Sequence, residues 1–232
     1  MQGQTRHVHP TAPLAHRALL PGDPGRALLL AQELTSEPRM FNHNRGLWGY
    51  TGVAPDGRPL TIMSHGMGGP SAAIVLEELC DLGLEIAVRV GTCGRLAKEP
   101  ALGDLVAVTG VIPADGTSAA LGAGGTLLPD ERLTARLAEV ADSAGTVVST
   151  DLFYDPDPAR AERWRAAGAV AVEMEAAAVL AVARRRGLRA ACLLAVSDSD
   201  PGAGERLDAQ RLEQAGLRLG RAALDALLAE TA

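Results

Sequence analysis

The stretch Leu19-Leu20-Pro21-Gly22-Asp23-Pro24-Gly25-Arg26-Ala27 runs from a strand-like apolar segment into a helix through two prolines, two glycines and an arginine. Such a junction can hold an anion. Pro24 suits a first helical turn, where its missing N–H costs nothing, and Gly22 lets the backbone approach a ligand without a Cβ in the way. The helix N-terminus offers unpaired N–H groups, and Arg26 adds a fork of donors that matches phosphate. An ordinary strand-to-helix turn uses the same residue types, so the junction gains weight only from its company. His65-Gly66-Met67-Gly68-Gly69-Pro70 repeats its logic further on. Between Ile86 and Gly94 a β-branched run carries Arg89 in its middle, and a charge there needs an anion beside it.

Metal chemistry has little to work with. Cys80, Cys93 and Cys192 sit in apolar segments without CxxC spacing, so buried free thiols are expected. The five histidines, His7, His9, His16, His43 and His65, form no HExxH or similar pattern. No metal site is predicted.

The elements that must position these residues alternate along the chain. Residues 1–16 are polar, contain Pro10 and Pro13, and read as a loose arm. Arg17–Leu20 reads as a strand and Gly25–Leu34 as a helix. Arg45–Gly52 reads as a strand that turns at Pro55-Asp56-Gly57 and returns through Leu60–Ser64. A helix is expected over Ser71–Leu82, strands over Ile86–Gly94 and Asp104–Val111, and a soft loop over Ala114–Gly125. Then come a helix over Leu133–Ala144, a strand over Val147–Tyr154, a strand end at Ala169–Glu175 and a helix over Ala176–Arg186. A last buried strand, Leu193–Asp198, and a closing helix from about Leu207 to Glu230 complete the chain.

This alternation predicts one three-layer αβα domain over residues 1–232, around a central mixed, largely parallel sheet. Polar residues and glycines cluster where strands end, after Leu20, Ser64, Val90, Tyr154, Val172 and Val196. In open α/β sheets ligands bind at those ends, so one site is implied. At 232 residues the chain can bury a full core, and aromatics at 3 % make that core aliphatic. A net charge of -6 with no basic stripe argues against a nucleic-acid surface. No long apolar run or basic-then-apolar leader appears, so a cytoplasmic protein without membrane contact is expected.

The motifs PGDPxRA, NxRGxxGxTG, HGMG, RVGTCG, DLFY, VEMEAA and VSD stand in one order over nearly the whole chain. In that register the sequence resembles the hexameric branch of the nucleoside phosphorylase family, which includes bacterial purine nucleoside and uridine phosphorylases. The resemblance implies that inorganic phosphate attacks C1′ of a nucleoside, giving free base and pentose 1-phosphate, without a cofactor. It matches Gly22, Arg26, Arg89 and Arg45 to the phosphate ligands, Arg45 reaching a neighbouring subunit's site, with Thr92 as a hydroxyl donor. Glu175 matches the residue that holds the ribose hydroxyls, with Met174 and Met67 against the sugar. Val172 and Glu173 lie on the same nucleoside-binding segment; Glu173 either holds the 2′ side or serves structure. His7 matches the arm histidine that meets the 5′-hydroxyl across a dimer interface, with His9 as the alternative. Shared sites of this kind imply a homo-oligomer, a hexamer built as a trimer of dimers.

Asp198 matches the acid that protonates a purine at N7, and Phe153 the aromatic that stacks on the base. Arg211 matches the arginine that assists the acid, with Arg206 competing for that role. Asp198 could instead be a helix N-cap. Two features divide the branches. Asp198 and the short segment between Tyr154 and Val172 favour purines, whereas Thr92 and the loop Ala114–Gly125 are closer to the uridine enzymes. A pyrimidine has no N7, so the acid is the more chemical discriminator and purine nucleosides are the favoured substrates. A nucleosidase would have little use for three converging arginines, and a non-catalytic binding protein no need of Asp198 and Glu175 together.

Overall fold

A computed structural model describes residues 5–199 and 204–230. In chain order the elements are β1 (Arg17–Leu20), α1 (Pro24–Leu34), β2 (Ser36–Asn42), a 3₁₀ turn (Asn44–Gly46), β3 (Gly49–Val53), β4 (Pro59–Met63), α2 (Gly69–Asp81), β5 (Ile86–Arg95) and β6 (Leu105–Ala114). There follow α3 (Gly116–Ala120), α4 (Glu131–Val140), β7 (Ser143–Thr150), α5 (Arg160–Ala166), β8 (Ala171–Glu173), α6 (Ala176–Arg186), β9 (Arg189–Asp198) and α7 (Ala209–Glu230). The first junction forms as its residues dictate: Pro24 opens α1, and Asp23 caps it by accepting from the Arg26 N–H at 2.6 Å.

Nine strands form one mixed sheet in the order β2-β3-β4-β1-β5-β8-β7-β6-β9, and β9 pairs back onto β5. The five strands β5, β8, β7, β6 and β9 therefore close into a ring. Pairs β1–β4, β1–β5, β5–β9, β6–β7 and β7–β8 are parallel; β2–β3, β3–β4, β5–β8 and β6–β9 are antiparallel. Strand β5 lies at the branch, with Arg89 opposite Leu20 of β1 on one side and Cys192 of β9 on the other. Its interior run Ile86–Gly91 is buried throughout, as a strand paired on both edges requires.

Helices cover both faces, which makes the three layers. On one side α2 packs on α6, over Met63, Ala72, Leu76, Ala177 and Leu194. On the other α1 and α4 pack on α7, over Leu19, Leu30, Leu133, Leu193 and Leu219. Among the described residues no helix is long and apolar enough to cross a membrane.

Several local expectations change. Ser36–Asn42 is a strand that the sequence reading passed over, because five of its seven residues are exposed at the sheet edge and show no apolar alternation. The stretch Ala114–Gly125 is not merely a soft loop: Asp115 caps the short helix α3 through the Ser118 N–H at 2.7 Å. Strand β7 ends at Thr150, so Phe153 and Tyr154 lie beyond it, and the next segment contains α5. The arm is not loose over its described part. Glu78 of α2 accepts from the backbone N–H groups of Arg6, His7 and Val8, and Val8 is fully buried.

Candidate active site

The loops after β1 and β4 are sewn together before any ligand arrives. The His65 N–H donates to Pro21 O at 2.9 Å and the Gly66 N–H to Gly22 O at 3.1 Å. The approach is close at Gly22, where a Cβ would lie 3.2 Å from Gly66 O and 3.6 Å from the His65 ring. Asp23 already occupies one donor of the α1 terminus, the Arg26 N–H, and the donors left at this corner include the Gly22 N–H and the Arg26 guanidinium. Half-buried Arg26 makes no side-chain hydrogen bond among the described residues. Burial pulls its pKa below the ordinary arginine value, Asp23 opposes, and the nearby charge of Arg89 adds to the fall.

Arg89 is 2 % exposed and held by three side chains. Glu173 Oε2 lies 3.0 Å from its Nε and 2.8 Å from Nη2, Glu175 Oε2 lies 2.5 Å from Nη2, and Nη1 donates to His65 Nε2 at 2.9 Å. Burial works against this charge, but Glu175 and Glu173 outweigh it and raise the pKa above the ordinary arginine value. The guanidinium lies over Gly91, where a Cβ would come within 2.7 Å of Nη2. That contact explains the Arg-Val-Gly spacing.

Both carboxylates come from the turn between β8 and α6. Glu173 takes the N–H of Glu175 and the N–H of Ala176 at 2.9 Å each, as well as the Ser149 hydroxyl. It thereby caps α6 and anchors Arg89. Glu175 is less consumed: among the described residues it accepts, besides Arg89, only the Gly68 N–H at 2.7 Å. Burial raises its pKa and the like charge of Glu173 adds to the rise, with Arg89 opposing.

Beside Gly68 an open cleft of about 1160 Å³ is lined by Met67, Met174, Thr117, Phe153, Tyr154 and Arg206. Met67 is 87 % exposed at its edge, which a core methionine would not be. Phe153 stands edge-on to Tyr154, ring centroids 5.0 Å apart. Val172 is buried with Leu96, Val148 and Ala169 instead of facing the cleft. Asp198 ends β9 opposite Gly94 of β5; its Oδ2 accepts from the Ser197 hydroxyl at 2.6 Å and its Oδ1 lies 2.5 Å from Arg206 Nε. Asp198 is not a helix cap, because Asp208 accepts the Arg211 N–H at 2.8 Å at the start of α7. Both Arg206 and Arg211 are exposed, and the one that pairs with Asp198 is Arg206.

Thr92 is half-buried in β5 opposite Ala195. Arg45 is exposed, with a left-handed φ of 58° that costs an L-residue roughly 1–2 kcal/mol. His7 Nδ1 lies 2.7 Å from Glu78 Oε1, near the C-terminal end of α2 and away from Gly68. His9 is exposed, its Nε2 3.2 Å from Arg6 O. The sequence reading missed His65 as a partner of Arg89; its place in the HGMG junction was the available signal, but a buried histidine meeting an arginine two strands away leaves no local pattern. A second hollow, about 530 Å³ near Arg184 and Arg189, holds none of these groups and lies at the far end of α6 from Glu175.

The fold and site define an α/β enzyme class that combines an arginine-lined anion corner, buried carboxylates and an aromatic-walled cleft. Residues 16–229 match the model of the phosphorylase superfamily, and the chain belongs to that family. It is 39 % identical over 186 residues to a guanosine phosphorylase of Halorubrum lacusprofundi, covering 77 % of this chain and 76 % of the relative. It is 36 % identical over 190 residues to a DeoD-type purine nucleoside phosphorylase of Proteus mirabilis, covering 78 % and 79 %. A DeoD-type purine nucleoside phosphorylase of Alkaliphilus metalliredigens is 33 % identical over 207 residues, covering 85 % and 88 %.

Proposed function

We propose that this chain is a pentosyltransferase that cleaves purine ribo- or deoxyribonucleosides with inorganic phosphate, releasing base and pentose 1-phosphate. The observation that carries the reading is Arg89: its guanidinium bonds Glu175 and also His65, whose loop is bonded to Pro21 and Gly22 of the Arg26 corner. A phosphate held by Arg26, Arg89 and the Gly22 N–H would then lie next to the carboxylate that orients the sugar. Nucleophile and electrophile are brought together, which removes part of the barrier to such a displacement. Glu175 would accept from the ribose hydroxyls and favour the positive charge that grows on the sugar as the C–N bond breaks. Glu173, spent on α6 and Arg89, serves as a positioning residue.

The base would lie in the cleft between Phe153 and Met174, with Asp198 giving its proton to N7. The carboxyl must be protonated when it acts, and Ser197 and Arg206 are the groups that hold it. Arg45 and His7 are assigned to a neighbour's site in a cytoplasmic homohexamer. The Glu78 carboxylate accepts from His7 Nδ1–H and leaves Nε2 available to a sugar hydroxyl, which favours His7 over His9. The test is a panel of inosine, guanosine, adenosine and uridine incubated with and without phosphate, with free base and pentose 1-phosphate read by chromatography. Phosphate-dependent release from purine nucleosides is expected. Equal release without phosphate would make the protein a nucleosidase, and uridine turnover above all purines would move it to the pyrimidine branch.

A further inference from the structure

We infer that His65 is a positioning residue for phosphate: a neutral acceptor that aims Arg89 without cancelling the charge the anion needs. The inference rests on the phosphate reading of the Arg26–Arg89 corner. His65 is 1 % exposed and follows β4 in the loop whose backbone is bonded to Pro21 O, while the Ser71 hydroxyl donates to its carbonyl at 2.6 Å. Its backbone is therefore fixed from both sides. A guanidinium carries only donors, so the 2.9 Å contact requires Arg89 Nη1 to donate to a lone pair on His65 Nε2. The imidazole must then be neutral with its proton on Nδ1, which has no well-formed hydrogen-bond partner. Burial, with the charges of Arg89 and Arg26 adding, brings its pKa down to about 3.

The residue type follows from charge balance. Arg89 and Arg26 bring two positive charges to the corner, set against the carboxylates of Glu173 and Glu175 on Arg89 and of Asp23 beside Arg26. A further carboxylate at position 65 would hold Arg89 equally well but would add negative charge where phosphate must bind. A protonated imidazole would set donor against donor. A neutral imidazole supplies the missing acceptor and nothing else. With Glu173 and Glu175 on Nε and Nη2 and His65 on Nη1, four of the five N–H groups of Arg89 face an acceptor, and one N–H on Nη1 is left for a ligand.

Two amide variants test this. Glutamine can place an oxygen near the position of Nε2, whereas asparagine reaches only as far as Nδ1. Phosphate KM, nucleoside KM and kcat are measured for the parent, His65→Gln and His65→Asn, together with the thermal shift each gives on adding inorganic phosphate. The expected result is a phosphate KM raised about tenfold or more in His65→Asn, the scale of a lost hydrogen bond to a charged group. Nucleoside KM should change much less, the phosphate-induced thermal shift should shrink in His65→Asn, and His65→Gln should stay near the parent in both. His65→Leu, which keeps the volume but has no acceptor, should behave like His65→Asn if the latter folds poorly. A phosphate-dependent parent whose His65→Asn and His65→Leu proteins keep the parental phosphate KM would overturn the inference alone. A parent that neither needs phosphate nor is stabilised by it would overturn the functional reading and this inference with it.

Discussion

The pairing of Asp198 with Arg206 separates two arginines that the sequence could not separate. Both lie downstream of the acid, and spacing favoured Arg211, but the chain bends back so that Asp198 and Arg206 form an isolated antiparallel bridge. Long-range returns of this kind leave no trace in local spacing. Arg206→Ala should therefore slow cleavage of inosine by about tenfold or more, the cost of a lost charge-assisted hydrogen bond, and Arg211→Ala by less. Steady-state kcat/KM for the two variants decides it. A larger loss in Arg211→Ala would mean that Arg211 replaces Arg206 when substrate is bound. Arg89 teaches the complementary lesson. Its mid-strand position announced that it must be paired, yet the pairing is with Glu173, Glu175 and His65, which come from two other chain segments.

At the scale of elements, the helices were legible wherever a cap or a small-residue junction announced them. Pro24 and Asp23 mark α1, and Ala176–Arg186 appears within the bounds expected of it because Gly187 stops it in the left-handed conformation, at φ 67°. Edge elements were less legible, since β2 is mostly exposed and α5 buries none of its seven residues. The arm was misread because what holds it lies far along the chain: Glu78 takes the N–H groups of Arg6, His7 and Val8, Asn42 that of His9 and Thr61 that of Ala15. Burial pushes the Glu78 carboxyl up, but N–H donors of Val8, His7 and Arg6 and the His7 ring outweigh it and leave the pKa below the ordinary glutamate value. A lowered carboxylate pKa stabilises above the unfolded value, near 4.5, and that contribution is lost as pH falls through the lower folded value. Protection factors of the Arg6, His7 and Val8 amides, which remove the intrinsic pH dependence of exchange, should therefore be high at neutral pH, fall once Glu78 protonates, and be low at all pH values in Glu78→Ala. Unchanged protection in Glu78→Ala would show that the arm is held by something else.

For the whole molecule, the alternating pattern foretold three layers and a mixed sheet, but not that β9 would close a ring with β5. Closure depends on antiparallel partners such as Leu105 and Ala195, whose pairing is set by tertiary packing. The ring matters to the site because it places Asp198 and Val172 on either side of Gly94. Arg45 is exposed and conformationally costly, and no side-chain hydrogen bond or ion pair holds it among the described residues. If sites are shared, mixing an Arg45→Ala chain with an Asp198→Asn chain should restore part of the activity that each lacks, since a hybrid dimer holds one intact site. Chains that exchange, seen by mass, without regaining activity would contradict shared sites. The central claim is that Asp198 protonates a purine leaving group during phosphorolysis, and it is tested most directly by kcat/KM for inosine and 7-methylguanosine in the parent and Asp198→Asn proteins at saturating phosphate. Inosine should slow by about 10²- to 10⁴-fold, the scale of general acid catalysis, whereas 7-methylguanosine, already positively charged at the imidazole ring, should be far less affected. Equal losses on the two substrates would contradict the account.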